Sequence, residues 1–141
     1  NLKAHLASLS TMVIKDHGLL GRMEVEYNAT NGEMHPEEVL PLSLIIRELL
    51  SMSAAHAASS GRKAMVRAAL RDLGPRQFEL LYTDENGGLT RDSLNNGSLE
   101  AALLHEYARA IGAGMVLLKG DHTTVQLTFR LAQQCEIRKA S

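Results

Sequence analysis

The chain is short of the features that most often announce a mechanism. Its 141 residues hold one cysteine, Cys135, so no internal disulfide can form and no cysteine-rich zinc site can be built. A lone thiol fits a reducing compartment, and the expectation is a cytoplasmic protein. Excess charge is missing too. Fifteen Lys+Arg against 16 Asp+Glu leave a net charge of −1, with no bulk attraction to nucleic acid or to an anionic membrane. No uninterrupted apolar run approaches the ~20 residues of a membrane-spanning helix, no signal-peptide pattern opens the chain, and no internal repeat or low-complexity stretch occurs. The first residues, NLKAHLASLSTMV, already read as helix, which suggests a piece of a longer protein.

Several catalytic patterns are absent as well. There is no P-loop, no G-x-G-x-x-G turn and no G-x-S-x-G elbow. HEYAR resembles half of a zinc-protease helix, but Arg109 stands where the second histidine belongs. His5, His17, His35, His56, His105 and His122 are scattered, and surface or helix-end roles suit them better than ligation. Cys135 has no histidine close in sequence. The acidic stretch LYTDENGGLTRDS fails as a calcium loop: counting from Asp84, Leu89 occupies the glycine position and Asn95 the glutamate position. A plain hairpin turn and a worn nucleotide motif remain open for it.

What is present is an ordinary globular composition, 45% hydrophobic and 22% charged, in one domain of 15.4 kDa. Leu2, Leu6, Leu9, Met12 and Val13 recur at helical spacing up to His17-Gly18. RMEVEYN alternates as a half-buried strand, and ATNGEMHPEE reads as a turn-rich loop. A long helix is predicted from Glu38 or Pro41 to Ala57, with Pro41 in its first turn and Leu42, Ile45, Leu49 and Met52 along one face. KAMVRAALRDL suits either helix or strand; with QFELLYTD after it, a hairpin is favoured. Ser98 is a good N-cap for a helix running to Gly112, and two strands follow around the turn from Lys119 to His122. The expected class is α/β, a two-layer α/β sandwich with a mixed, mostly antiparallel sheet. Residues 1–17 would form a leading helix and 18–141 the domain proper.

In this order, LPLSLIIRELLSMSAAHA, TDENGGL, NGSLEAALLHEYARAIGA and TTVQLTF resemble the ATP-binding domain of sensor histidine kinases, the GHKL or Bergerat fold. The chain looks most like the subfamily with the second type of dimerisation-and-phosphoacceptor region. The resemblance covers about Arg22 to Leu131. It implies a catalytic glutamate at Glu48 and nucleotide contacts at Asp84, Gly88, Gly97, Ser98 and Thr124. It implies a magnesium-binding asparagine four residues after Glu48, where Met52 stands instead, and a thioether is a poor ligand for a hard cation. Asn86 replaces the middle glycine of the aspartate motif, Glu100 a phosphate-facing glycine, and His122 the glycine of the glycine–threonine motif. Gly88 to Gly97 is short for an ATP lid.

Two functions follow from the resemblance. One is a degenerate domain of bacterial two-component signalling, binding ATP weakly or not at all, with magnesium doubtful, that docks or assists phosphotransfer. Its partners would be a response-regulator receiver domain or a helical-bundle phosphoacceptor domain of the same chain. Neither nucleic acid nor membrane contact is expected, and a homodimer through segments beyond this stretch is allowed. The other is a working kinase ATP-binding domain that phosphorylates a histidine on a separate bundle. No acceptor histidine can be assigned, since His5 lies in KAHLAS, unlike the family's acceptor pattern. Either way, Glu48 and Asp84 are expected to open toward one cleft. The plain alternative is an Asx turn at Asp84 and an exposed helix charge at Glu48.

Overall fold

A computed structural model of the chain describes residues 2–29 and 36–130, with side chains of the second stretch from Val39 onward. The Asn31-Gly32 turn, His35, Cys135 and the end of the family resemblance at Leu131 lie outside the described residues. In chain order the elements are α1 (Leu2–Asp16), β1 (Met23–Ala29), α2 (Pro36–Ser60), β2 (Ala64–Gly74), β3 (Gln77–Asp84), α3 (Leu99–Ala110), β4 (Gly114–Leu118) and β5 (Thr123–Arg130).

The five strands form one sheet in the order β1-β2-β3-β5-β4. β1 runs parallel to β2, joined to it by the α2 crossover, and every other pair is antiparallel. The ambiguous 63–73 stretch is strand. Its alternation, with Val66, Ala68 and Leu70 buried and Arg67 and Arg71 exposed, is settled by pairing with QFELLYTD.

The helices cover one face only. Val66, Leu80, Tyr82, Val125 and Leu127 point into the shared core with Leu42, Ile45, Ile46, Leu49 and Leu50 of α2. Phe78 and Phe129 stack across β3 and β5 with ring centroids 5.9 Å apart. The opposite face is polar and carries ion pairs such as Arg67–Glu26 and Arg71–Glu79, as an antiparallel sheet with one solvated face allows. α1 packs on α2 and β1, α3 on α2 and β4. Leu6 and Val13 of α1 belong to the same core as the rest.

Two expectations for α2 are corrected. The helix begins at Pro36, not at Glu38 or Pro41, so Pro41 lies inside it. Pro36 takes the first position, where a missing N–H costs nothing. Pro41 forfeits one backbone bond near the helix end, where the following apolar residues hold the helix against the sheet. Val39–Ser60 is also long and apolar enough, by length and composition, to cross a bilayer. Arg47 and Glu48 interrupt its apolar sequence, and half of that stretch is buried in the domain as its central helix.

Candidate functional site

Asp84 ends β3 and is 1% exposed. Its Oδ1 accepts the Asn86 N–H at 2.7 Å and its Oδ2 the Gly88 N–H at 3.2 Å. The carboxylate thereby closes its own loop as an Asx turn. His56 of α2 clamps the loop from above, its Nε2 donating to the Asn86 carbonyl at 3.0 Å. A Cβ on Gly88 would run into the Asp84 carboxylate and stand 3.1 Å from His56 Cβ, so glycine is required there by close approach. The left-handed turn falls on Gly87, at φ +76°, and not on Asn86.

Thr123, not Thr124, shares a face with Asp84. The ladder pairs Asp84 with Thr123 and Thr83 with Thr124. Side chains of paired residues lie on the same side of a sheet, and successive ones alternate. Thr124 therefore faces the solvated side, where its hydroxyl bonds that of Thr83 at 2.7 Å. A one-residue offset in a strand changes the face completely. Asp84, Thr123, Asn86 and His122 line a polar cleft of about 300 Å³ at this end of the sheet.

Glu48 lies elsewhere. It is 4% exposed, and its Oε1 accepts from Arg47 Nη2 at 3.1 Å. With Ser51 and Glu100 it lines a second cleft, about 380 Å³, walled by α1, α2 and α3. The two clefts share no residue. The expectation of a single cleft for Glu48 and Asp84 is not met by either of them. Met52 lines neither and packs against the hydrophobic core.

Gly97, at φ +76°, turns the chain into α3. The Ser98 hydroxyl accepts the Ala101 N–H at 3.1 Å, so this N-cap consumes one first-turn amide. The segment between Gly88 and Gly97 is held down rather than spread out. Leu89 and Leu94 are buried, and His105 Nε2 donates to the Leu94 carbonyl at 2.9 Å. Under α2 the Tyr82 phenol bonds Ser53 at 2.8 Å, and burial pushes its pKa well above the ordinary value. Sequence reasoning missed Thr123, Leu89, Leu94 and His105. Only the two leucines left a trace, as apolar residues in an otherwise polar loop. Among the described residues no group of three or more His, Cys, Asp or Glu side chains could hold a metal ion.

No protein-family model matches the sequence, and no curated protein matches it. Solved structures do. The histidine kinase domain of the Erythrobacter litoralis EL346 blue-light activated histidine kinase superposes with TM-score 0.77 at 22% identity, covering 96% of this chain and 64% of that one. The longer EL346 structure gives 0.79, also at 22% identity, and this chain covers 43% of it. Acinetobacter baumannii histidine kinase AdeS gives 0.68 at 10% identity, covering 92% of this chain and 65% of that one. The chain thus spans less than two thirds of the length of these structures. The likeness shows the fold: this is the α/β fold of histidine-kinase ATPase domains.

Proposed function

We propose that this domain, built on the histidine-kinase ATPase fold, is a degenerate member that binds ATP weakly or not at all. It serves two-component signalling as a docking or phosphotransfer-assisting module in the cytoplasm. Met52 carries the reading. One helical turn from Glu48, where the resemblance calls for an oxygen ligand to magnesium, a thioether is packed against the core. The other donors fit a magnesium-bound triphosphate no better. Glu100 brings a carboxylate to the first turn of α3, in the cleft that Glu48 already lines, and two carboxylates there repel phosphate. Asp84 spends an oxygen on each of two amides of its own loop.

The partners that suit this reading are a receiver domain or a phosphoacceptor bundle from the same chain. The solved histidine kinases that share the fold are longer than this chain, which supports a partner domain within the same chain. The alternative, a working kinase domain, is separated by a gain-of-function test. Met52→Asn with Glu100→Gly restores an amide oxygen and removes a charge at the α3 N-terminus. The folded double variant should bind ATP more tightly than the parent in calorimetry. A parent that already binds ATP at micromolar affinity, strengthened by magnesium, would favour the working kinase, and a folded variant with no gain would mean that the cleft is closed for other reasons.

A further inference from the structure

Glu48 is a buried carboxylate with half of its hydrogen-bonding capacity turned toward open space. Its side chain is 5% exposed, and Arg47 bonds Oε1. Among the described residues the hydrogen bond found on this carboxylate is that of Arg47 to Oε1, and Glu48 lines the cleft between α1, α2 and α3, where water or a ligand can meet Oε2. A ligand that takes this oxygen out of water must supply a donor in return, or the desolvation is costly.

The surroundings say which donor. Leu9, Met12, Val13, Leu99 and Leu103 make the walls aliphatic, and Met12 and Leu99 stand 55% and 69% exposed. At about 380 Å³ the cleft has the size of a small-ligand site. The carboxylates of Asp16, Glu48 and Glu100 face it against one cation, Arg47. His17 also lines it; its Nδ1 donates to the Val13 carbonyl at 3.0 Å, leaving Nε2 as an acceptor. The last turn of α1, which carries Lys15, brings the negative end of that helix here, and the positive end of α3 is answered by Ser98 and Glu100. An anion would meet three carboxylates, and a neutral apolar ligand would leave Oε2 dry and unbonded.

We propose that this cleft binds an ammonium or guanidinium group carried on an aliphatic stem, the cation against Glu48 Oε2 and the stem along the leucines. The proposal rests on the reading that phosphates do not occupy this end of α3. The group would come from a lysine or arginine side chain of a partner protein or from a free alkylamine.

The test is an NMR titration of the ¹⁵N-labelled domain with n-hexylamine and with n-hexanol, its neutral counterpart. It is repeated with an amphipathic peptide carrying one lysine and with the same peptide acetylated at that lysine. The amine should bind about ten-fold tighter than the alcohol, as a charge-assisted bond allows, and shift the amides of Leu9, Ser51 and Leu103. Glu48→Gln should abolish that preference in a folded domain. If the lysine peptide binds more tightly than the free amine and acetylation removes the gain, the source is a protein side chain; equal or weaker binding assigns a free amine. Equal binding of amine and alcohol, a preference that survives Glu48→Gln, or no shift with any probe would overturn the proposal. Should Glu48→Gln fail to fold, Asp16→Asn with Glu100→Gln replaces it and should lower the preference about three-fold, since partly exposed charges contribute less; no change overturns the proposal equally. Magnesium-ATP is titrated into the same sample. Micromolar binding there would end the degenerate reading, whereas the amine-to-alcohol ratio decides the cation site.

Discussion

Asp84 and Glu48 are both buried carboxylates, 1% and 4% exposed, and each meets the cost of desolvation differently. At the sheet end, Asp84 draws two amides of its own loop onto its two oxygens, and His56 closes over that loop. Within the helical layer, Glu48 is met by one cation on one oxygen and faces a cleft with the other. The first arrangement is complete without a ligand and holds a turn in place. The second leaves one oxygen for a donor from outside, water or ligand. On one fold, then, a motif residue can be absorbed into structure while another keeps an opening for chemistry.

The largest effect expected is at the closed end. Asp84→Ala strands two amides that its carboxylate now satisfies, and should destabilise the domain by about 2–3 kcal/mol in urea unfolding. Glu48→Gln, which keeps an acceptor for Arg47, should cost about 1 kcal/mol or less. Equal costs for the two would break the contrast. Beneath α2, Tyr82→Phe removes a buried hydroxyl and leaves Ser53 without its partner, for about 1–2 kcal/mol. The double change with Ser53→Ala should add little more, measured as a double-mutant cycle; full additivity would mean the two hydroxyls act separately.

The smallest effect sharpens the contrast with a third carboxylate, on the solvated face. Glu79 receives both Arg71 and Gln126, and the Arg71 bond, ahead of that from Gln126, holds its pKa below 4.5. A depressed folded pKa means that this stabilisation is present above the unfolded carboxylate value and is lost as pH falls through the folded one. Between neutral pH and pH 5 the pair should contribute steadily, then fade in more acid solution. Glu79→Gln should flatten that acid limb of the stability curve, read by urea unfolding at stepped pH; an unchanged limb would assign it to other carboxylates.

Much of the frame was legible in the residues. Leu42, Ile45, Ile46 and Leu49 fix the inward face of α2 by their spacing, and Ser98 and Gly112 bracket α3 through cap chemistry that is local to a few residues. The site was less so, because its geometry depends on pairing. Nothing within TTVQLTF says which threonine opposes Asp84; that is set by the register of β5 on β3. Nor does DENGG say whether Asn86 or Gly87 turns left-handed until the Asp84 side chain has captured the Asn86 amide. Leu89 and Leu94 look like loop residues until the fold buries both and His105 of α3 bonds the Leu94 carbonyl. The start of α2 was less legible because Pro36 stands in a run that reads as turn-rich loop, and the structure makes it the first residue of the helix.

The central claim is that the fold persists here without a working nucleotide site. Calorimetric titration of the unmodified domain with ATP, with and without magnesium, tests it most directly. The account predicts a dissociation constant no tighter than about 1 mM, near −4 kcal/mol, with no gain from magnesium. Micromolar binding that magnesium strengthens would contradict it.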